Sequence, residues 1–250
     1  MQLLKRARVY YNRLAARRFA QRTRVLHYGE PLVSFTFDDF PKSALHTGAT
    51  ILEQSGFKGT YFVSIGLAGT IAPTGEIVDR AEIPQVVARG HELACHTYHH
   101  HHATQTAPTV FESSVQENAR ALQELIPGAH FLTHSYPIGV PKPGTKRRCA
   151  KYFLGCRAGG QIYNEATVDL DHLQAYFLEQ NRDDVDGILR MVDQTIEARG
   201  WLIFATHDVD PSPTRYGVTP QLFERVVRYV AQRNVRVLPI ASVLQTAAHA

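Results

Sequence analysis

The stretch LVSFTFDD, residues 32–39, decides the predicted fold of this chain. Branched and aromatic side chains dominate residues 32–37, which predicts a buried β-strand that ends where two acidic residues follow. Residues 43–55 then show helical spacing, with Leu45 and Leu52 on one side. A buried strand followed by a helix is the unit from which parallel sheets are built.

The same unit recurs along the rest of the sequence. Further strands are predicted over residues 60–63, 91–95, 131–133, 201–205 and 235–238. Helices are predicted near residues 83–89, 111–122, 185–196 and 219–230. The segment from Pro137 to about Thr167, rich in Gly and basic residues, is predicted to form long loops. The alternation predicts an α/β fold whose parallel sheet is either open or closed into a barrel.

The composition is that of an ordinary globular protein. The chain has 250 residues, of which 44% are hydrophobic and 20% charged, enough for one large core. No run approaches the roughly 18 consecutive apolar residues of a membrane-spanning helix. Cys95, Cys149 and Cys156 show no paired spacing, so we predict no disulfide framework and a reducing compartment.

The first 24 residues form a basic segment with eight Lys or Arg residues and no acid. Arginines interrupt its apolar residues, so it lacks the continuous apolar core of a secretory signal. We predict a helical basic arm over residues 1–30 and a single domain over residues 31–250, in the cytoplasm. The arm either lies on an anionic membrane surface, here the inner membrane, or packs on the domain as a helical extension. No aromatic-interleaved basic surface follows, so nucleic-acid binding is not predicted.

Polar clusters follow three of the predicted strands. They are Asp38-Asp39, the histidine-rich segment 96–100, and His207-Asp208. In α/β barrels the chemistry lies at the C-terminal ends of the strands, where these clusters are expected to meet.

The first two clusters have the composition of a metal site. Two adjacent carboxylates are costly to keep ionised unless a cation or hydrogen bonds stabilise them. His96 and His100, four residues apart, can reach one ion together with Asp39. Because neighbouring residues are also histidines, the identity of the second imidazole ligand stays open. Three other interpretations are helix capping by Asp38 or Asp39, adventitious metal affinity of a His-rich loop, and a two-His, one-carboxylate iron oxygenase.

The third cluster supplies a proton donor. His207 follows the apolar strand predicted over residues 201–205. An imidazole at that strand end can protonate a leaving amine near neutral pH.

Together the clusters resemble the motifs of the polysaccharide deacetylase family, also called the NodB-homology or carbohydrate esterase type. Residues 36–39 (Thr-Phe-Asp-Asp) are similar to its first motif, and residues 96–100 (His-Thr-Tyr-His-His) to its second, His-[Ser/Thr]-x-x-His. Residues 201–209, which include His207, are similar to its last motif. The resemblance spans about residues 32–244.

The resemblance implies a fold and a set of roles. The fold is a distorted (β/α) barrel of about seven parallel strands. Asp39, His96 and His100 bind one divalent ion, usually zinc. Asp38 is the general base and His207 the general acid.

One motif departs from the family pattern. The third motif, Arg-x-Pro-[Phe/Tyr]-Gly, is Ser-Tyr-Pro-Ile-Gly here, residues 135–139. The arginine that pairs with the base is therefore absent at Ser135, and Arg157 or Arg182 is a candidate for the missing cation. Tyr136, Pro137 and Ile138 are expected to form the pocket and the oxyanion site. The fourth motif, an Asp and Trp pair, has no match.

The implied activity is removal of N-acetyl groups from an acetylated amino-sugar oligo- or polysaccharide. Three alternatives use the same fold: an O-acetyl esterase, a cyclic-amide hydrolase, and a catalytically impaired carbohydrate-binding protein.

Overall fold

A curled sheet of parallel strands forms the centre of the molecule. The computed structural model describes residues 11, 14–25, 29–138, 140–165 and 167–246. Its strands are β1 (Thr23–Val25), β2 (Leu32–Phe37), β3 (Thr60–Val63), β4 (Ile71–Ala72), β5 (Gly75–Glu76), β6 (Glu92–Cys95), β7 (Thr133–Ser135), β8 (Gly155–Arg157), β9 (Thr167–Asp169), β10 (Tyr176–Phe177), β11 (Trp201–Thr206) and β12 (Arg236–Val237).

Seven strands follow one another in the order β10-β11-β2-β3-β6-β7-β8, and β12 pairs with β2 beside this path. Every pairing in this sheet is parallel. The C-terminal ends of the strands therefore meet at one edge of the curled sheet. The predicted α/β fold, a distorted barrel of about seven parallel strands, is confirmed.

Helices of 6 to 18 residues cover the sheet. A π-helical turn, Ala44–Gly48, continues into α1 (Ala49–Gln54), and the others are α2 (Ile83–Ala88), α3 (Pro108–Leu125), α4 (Pro143–Cys149), α5 (Val185–Glu197), α6 (Pro220–Gln232) and α7 (Ile240–Thr246). At the start of α6 the Thr219 side chain accepts a hydrogen bond from the Leu222 amide, and Pro220 occupies the first turn. Both residues favour helix initiation at this point.

Strand β2 is fixed in the middle of an aromatic core. All six of its residues are buried. The Phe37 ring stacks on Tyr61 at a centroid distance of 4.7 Å, and Phe35 stacks on Phe204 at 5.5 Å. Aromatic pairs of this kind contribute about 0.5–1.5 kcal/mol each beyond their buried area. This packing fixes the point at which Asp38 leaves the strand.

Two of the sequence predictions need correction. The segment from Pro137 to Thr167 holds α4 and β8 rather than only long loops. Strand β8 has three residues, too few for a periodic pattern to stand out in the sequence. The strand predicted over residues 131–133 instead spans Thr133–Ser135, which places Ser135 inside the sheet.

Residues 14–25 of the basic segment pack against the domain. Residues 14–18 are helical, and strand β1 pairs antiparallel with β9. The Lys146 ammonium, fully buried, donates hydrogen bonds to the carbonyl oxygens of Ala16 at 2.8 Å and Phe19 at 3.3 Å. The remaining residues of the predicted arm, 1–10, 12, 13 and 26–28, lie outside the described residues. Among the helices described, none has the length and apolar character needed to cross a membrane.

Candidate active site

Three potential metal ligands converge where β2 and β6 end. One ligand atom each from Asp39, His96 and His100 lies within 4.8 Å of the others. Asp39 follows β2, and His96 follows β6, so the two side chains reach this point from strands separated by β3. Two imidazole nitrogens and one carboxylate oxygen form a donor set typical of catalytic zinc, with positions left for water and substrate.

The environment of Asp39 fits a cation. His100 Nε2 lies 2.9 Å and His96 Nε2 lies 3.5 Å from Asp39 Oδ1. Even so, that buried oxygen has no hydrogen-bond partner among the described residues. Its other oxygen, Oδ2, accepts a hydrogen bond from Thr74 at 2.9 Å. A buried carboxylate oxygen without a hydrogen bond is costly, and a shared ion removes that cost.

The orientation of His96 is set by Ser135. His96 Nδ1 lies 3.0 Å from the Ser135 carbonyl oxygen and 2.6 Å from the Ser135 hydroxyl oxygen. The carbonyl can only accept and the hydroxyl donates its proton to Asp38, so Nδ1 carries the proton. The nitrogen near Asp39, Nε2, is therefore the one with a free lone pair. Burial lowers the pKa of His96 to about 4, which keeps the ring neutral and able to bind a metal at neutral pH. The serine that replaces the expected arginine thus orients a ligand.

Strained backbone is concentrated here. Positive φ angles occur at Asp39 (61°), Phe40 (62°), Thr97 (61°), His100 (52°) and Ile138 (43°). Each such conformation costs a non-glycine residue about 1–3 kcal/mol and persists only where the surroundings enforce it. Enforced strain in several loops at one place is typical of a functional site.

The carboxylate of Asp38 pairs with Arg157. The Arg157 guanidinium donates to both Asp38 oxygens, and the Ser135 hydroxyl donates to Oδ1 at 3.3 Å. Arg157 is 1% exposed, and its guanidinium carbon lies 5.1 Å from the centre of the Phe62 ring and 5.2 Å from that of Phe177. Burial alone raises the pKa of Asp38, but Arg157, His96 and His207 together hold it below its ordinary value. Asp38 is therefore a carboxylate at neutral pH, able to accept a proton.

His207 follows β11 and is oriented in the same way as His96. Its Nδ1 lies 3.1 Å from the Tyr216 carbonyl oxygen and must donate to it, which leaves Nε2 to exchange a proton. Glu179 Oε1 lies 4.0 Å from His207 Nδ1. Sequence analysis did not single out Glu179, since a lone acidic residue outside any motif carries no signal.

These groups line one cleft of about 670 Å³. Its walls include Asp38, Asp39, His96, His100 and His207. Tyr136 and Ile138 also line the cleft, whereas Pro137 is buried beside it. The five polar residues predicted from three separate segments are thus brought to a single pocket.

Comparison with known proteins identifies the family. A family model described as polysaccharide deacetylase matches residues 27–153, which are 127 of the 250 residues. The chain belongs to the polysaccharide deacetylase family. The family resemblance inferred from the sequence is therefore confirmed, and it places the chain among esterase and deacetylase hydrolases. The curated proteins contain no significant match to the sequence.

Solved structures support the fold of this deacetylase family member. A family 4 carbohydrate esterase from Streptomyces lividans shares 21% identity at a TM-score of 0.56, covering 83% of this chain and 91% of the esterase. A family 4 acetyl xylan esterase from Clostridium thermocellum, in complex with cobalt, shares 17% at a TM-score of 0.56, covering 86% and 91%. A Mycobacterium smegmatis protein assigned as a polysaccharide deacetylase shares 16% at a TM-score of 0.66, covering 90% and 93%.

The register of β7 and β8 explains how Asp38 of this deacetylase family member obtains an arginine partner although the motif arginine is absent. Ser135 of β7 lies directly opposite Arg157 of β8 in the sheet. The guanidinium therefore reaches Asp38 from the neighbouring strand. The other candidate, Arg182, is exposed, and its guanidinium donates to the Thr214 carbonyl at 3.3 Å instead.

We expect Arg157→Met to destabilise the protein by about 3–5 kcal/mol, because it leaves the Asp38 carboxylate buried without its cation. Removing the cation also raises the pKa of Asp38, so the acidic limb of the pH–activity profile moves to higher pH. Denaturant unfolding and kcat/KM from pH 4 to 9 measure the two effects. Arg182→Met is the control, with an expected change within about 0.5 kcal/mol. Equal effects of the two substitutions would contradict the assignment.

Glu179 makes folding stability depend on pH. Burial raises its pKa to about 8 from an ordinary value of 4.5, so the folded protein holds this proton over a range in which the unfolded chain releases it. The stability contributed by protonated Glu179 is complete below pH 4.5 and is lost as the pH rises towards 8.

We expect Glu179→Gln to gain stability relative to wild type between pH 5 and 8, by at most about 1.4 kcal/mol per pH unit. Urea unfolding of the metal-free proteins at several pH values measures this difference. Glu165→Gln, at an exposed position, is the matched control. A pH-independent difference between wild type and Glu179→Gln would show that Glu179 is already ionised when folded.

Proposed function

We propose that this chain is a metal-dependent hydrolase that removes N-acetyl groups from an amino-sugar oligo- or polysaccharide, with zinc as its ion. One observation carries the proposal. The three-ligand cluster of Asp39, His96 and His100 shares a cleft with an Arg-paired carboxylate, Asp38, and with an oriented imidazole, His207. Membership of the polysaccharide deacetylase family supports the substrate class.

Asp39, His96 and His100 would hold a divalent ion, which would supply Lewis acidity to activate water and polarise the acetyl carbonyl. The protein contributes the remaining steps. Asp38, held ionised by Arg157, accepts the proton of the attacking water. The backbone amide near Ile138 stabilises the negative charge that develops on the carbonyl oxygen.

His207 completes the reaction as the general acid. Nδ1 is bound to the Tyr216 carbonyl, so the proton leaves from Nε2 and goes to the departing nitrogen. The carbon–nitrogen bond then breaks, and the products are acetate and a free amine. The pairing of Asp38 with Arg157 opposes the alternative of an impaired carbohydrate-binding protein, because a binding protein needs no ionised base in its cleft.

An O-acetyl ester is the second candidate substrate. The Clostridium thermocellum neighbour is an acetyl xylan esterase in complex with cobalt. Hydrolysis of an acetyl ester in the present cleft would use the same ion, Asp39, His96 and His100 as ligands, and Asp38 as base. An alkoxide leaves more readily than an amide nitrogen that has not been protonated, so esters depend less on the general acid His207.

Acetate release tests the proposal. Metal-stripped protein is reloaded with zinc, cobalt, nickel or manganese and assayed against N-acetylglucosamine oligomers, acetylated xylan and a cyclic amide. We expect release from the oligomers that depends on added metal. Acetate release from xylan alone would indicate an esterase. Ring opening of the cyclic amide alone would indicate a cyclic-amide hydrolase. If no substrate were hydrolysed with any of the metals, the proposed hydrolase function would be contradicted.

A further inference from the structure

We infer that the deacetylase substrate carries an anionic group, a carboxylate or a phosphate, which Arg17 of the N-terminal segment binds at the rim of the catalytic cleft. The inference rests on the proposed function and specifies its substrate class. Arg17 and His172 line the same cleft as the metal-ligand cluster. Arg17 precedes residue 27, where the family match begins, so the family match does not include this residue.

The segment that carries Arg17 is held firmly against the domain. The Arg22 guanidinium donates to the Phe153 carbonyl at 2.9 Å and forms an ion pair with Asp171 at 2.7 Å. The Lys146 ammonium, which pairs with Asp169, also donates hydrogen bonds to the carbonyl oxygens of Ala16 and Phe19. Together with the pairing of β1 and β9, these contacts hold residues 14–25 against the domain, so the backbone that carries Arg17 is fixed beside the cleft. Pre-organised side chains bind with a smaller loss of conformational entropy.

The charge of Arg17 is not neutralised by the protein. Among the residues described, no carboxylate lies within ion-pair distance of its guanidinium. The nearby acids Asp169 and Asp171 already pair with Lys146 and Arg22. Within the cleft, Asp38 pairs with Arg157. An exposed guanidinium beside a sugar cleft, with no internal partner, selects a carboxylate or phosphate because its planar fork matches both groups.

His172 provides an independent observation at the same rim. Its side chain lines the cleft, is 4% exposed, and has an Nδ1 atom without a hydrogen-bond partner among the described residues. Buried polar atoms in folded proteins are usually hydrogen-bonded, and ligands often supply the missing partner. Arg17 and His172 therefore form the two polar members of an anion subsite outside the reacting centre.

Binding of matched oligosaccharides tests the inference. Trimers of N-acetylglucosamine are compared in three forms: unmodified, oxidised to a carboxylate at every C6, and phosphorylated at every C6. Calorimetric titrations use the zinc-loaded full chain with Asp38→Asn, so that binding is measured without turnover. We expect one of the charged trimers to bind about tenfold more tightly than the neutral trimer, the lower end of what a hydrogen bond to a charged group contributes. The preferred trimer identifies the anionic group.

Arg17→Gln should abolish this preference, so that the charged and neutral trimers bind the variant with equal affinity. Arg18→Gln is the matched control, because Arg18 is exposed on the same helical turn and does not line the cleft. Equal binding of neutral and charged trimers, or equal effects of the two substitutions, would overturn the inference. These binding results would leave acetate release, and with it the proposed function, unaffected. Absence of acetate release from every substrate would instead contradict the proposed function and not the binding of the anionic group.

Discussion

Asp38→Asn is expected to lower the rate of acetyl hydrolysis by about 10²–10⁴-fold, the contribution typical of a positioned general base. Asparagine keeps the size of the side chain and can still accept a hydrogen bond from Arg157, but it cannot take a proton from water. The loss should fall mainly on kcat, because Asp38 acts on the reacting water rather than on the sugar. Steady-state acetate release from an N-acetylglucosamine oligomer measures the effect.

The metal content of this variant is the necessary control. Asp38 is not one of the three clustered ligands, so Asp38→Asn should retain one ion per chain. A variant that keeps both its ion and its turnover would contradict the role of Asp38. A variant that loses the ion would show that Asp38 binds metal, and the assignment of base and ligand between the two adjacent carboxylates would then be wrong.

His100→Ala is expected to have the second largest effect, with loss of metal binding and of activity together. Residues that only orient a ligand contribute about 10–100-fold to metal affinity, so loss of a ligand itself should cost at least about 100-fold. Calorimetric titration with zinc and acetate release at a fixed zinc concentration measure the two losses.

The histidine-rich segment supplies its own matched controls. His99 lies 3.0 Å from Glu117 and its side chain is half exposed, and His101 is likewise outside the ligand cluster. His99→Ala and His101→Ala should therefore leave zinc affinity and turnover close to wild type. If His99→Ala abolished zinc binding and turnover while His100→Ala kept both, the second imidazole ligand would be His99.

The sequence was informative where strands are long and end in reactive side chains. Strands β2 and β11 each have six buried residues, so their positions and the polar residues after them followed directly from pattern. Parallel pairing then brings Asp38, His96 and His207 to one edge, a consequence of topology that needs no coordinates. The α/β fold with about seven parallel strands and the family membership, both implied by the family resemblance, are likewise confirmed.

The partner of Asp38 was not decidable from the sequence. The sequence alone does not tell whether Arg157 or Arg182 pairs with Asp38. The register of β7 and β8, which places Ser135 opposite Arg157, distinguishes the two arginines. Strand β8, which carries Arg157, is three residues long and lies in a segment predicted to be loops. Short strands take their position from neighbouring strands rather than from their own periodicity.

Contacts between distant segments were also outside the reach of pattern analysis. Glu179 reaches His207 from the end of β10, a two-residue strand. Arg17 reaches the cleft because buried Lys146 and the pairing of β1 with β9 hold its segment in place. Hydrophobic periodicity does not encode such polar anchors, so the packing of residues 14–25 on the domain could not be predicted from the sequence pattern.

Anomalous diffraction from crystals of the zinc-loaded protein tests the central claim most directly. We expect one zinc ion per chain, within coordination distance of Asp39 and of the Nε2 atoms of His96 and His100, with Asp38 and His207 on the open side. Zinc bound instead among His99, His101 and His102, or no zinc in the cleft at all, would contradict it.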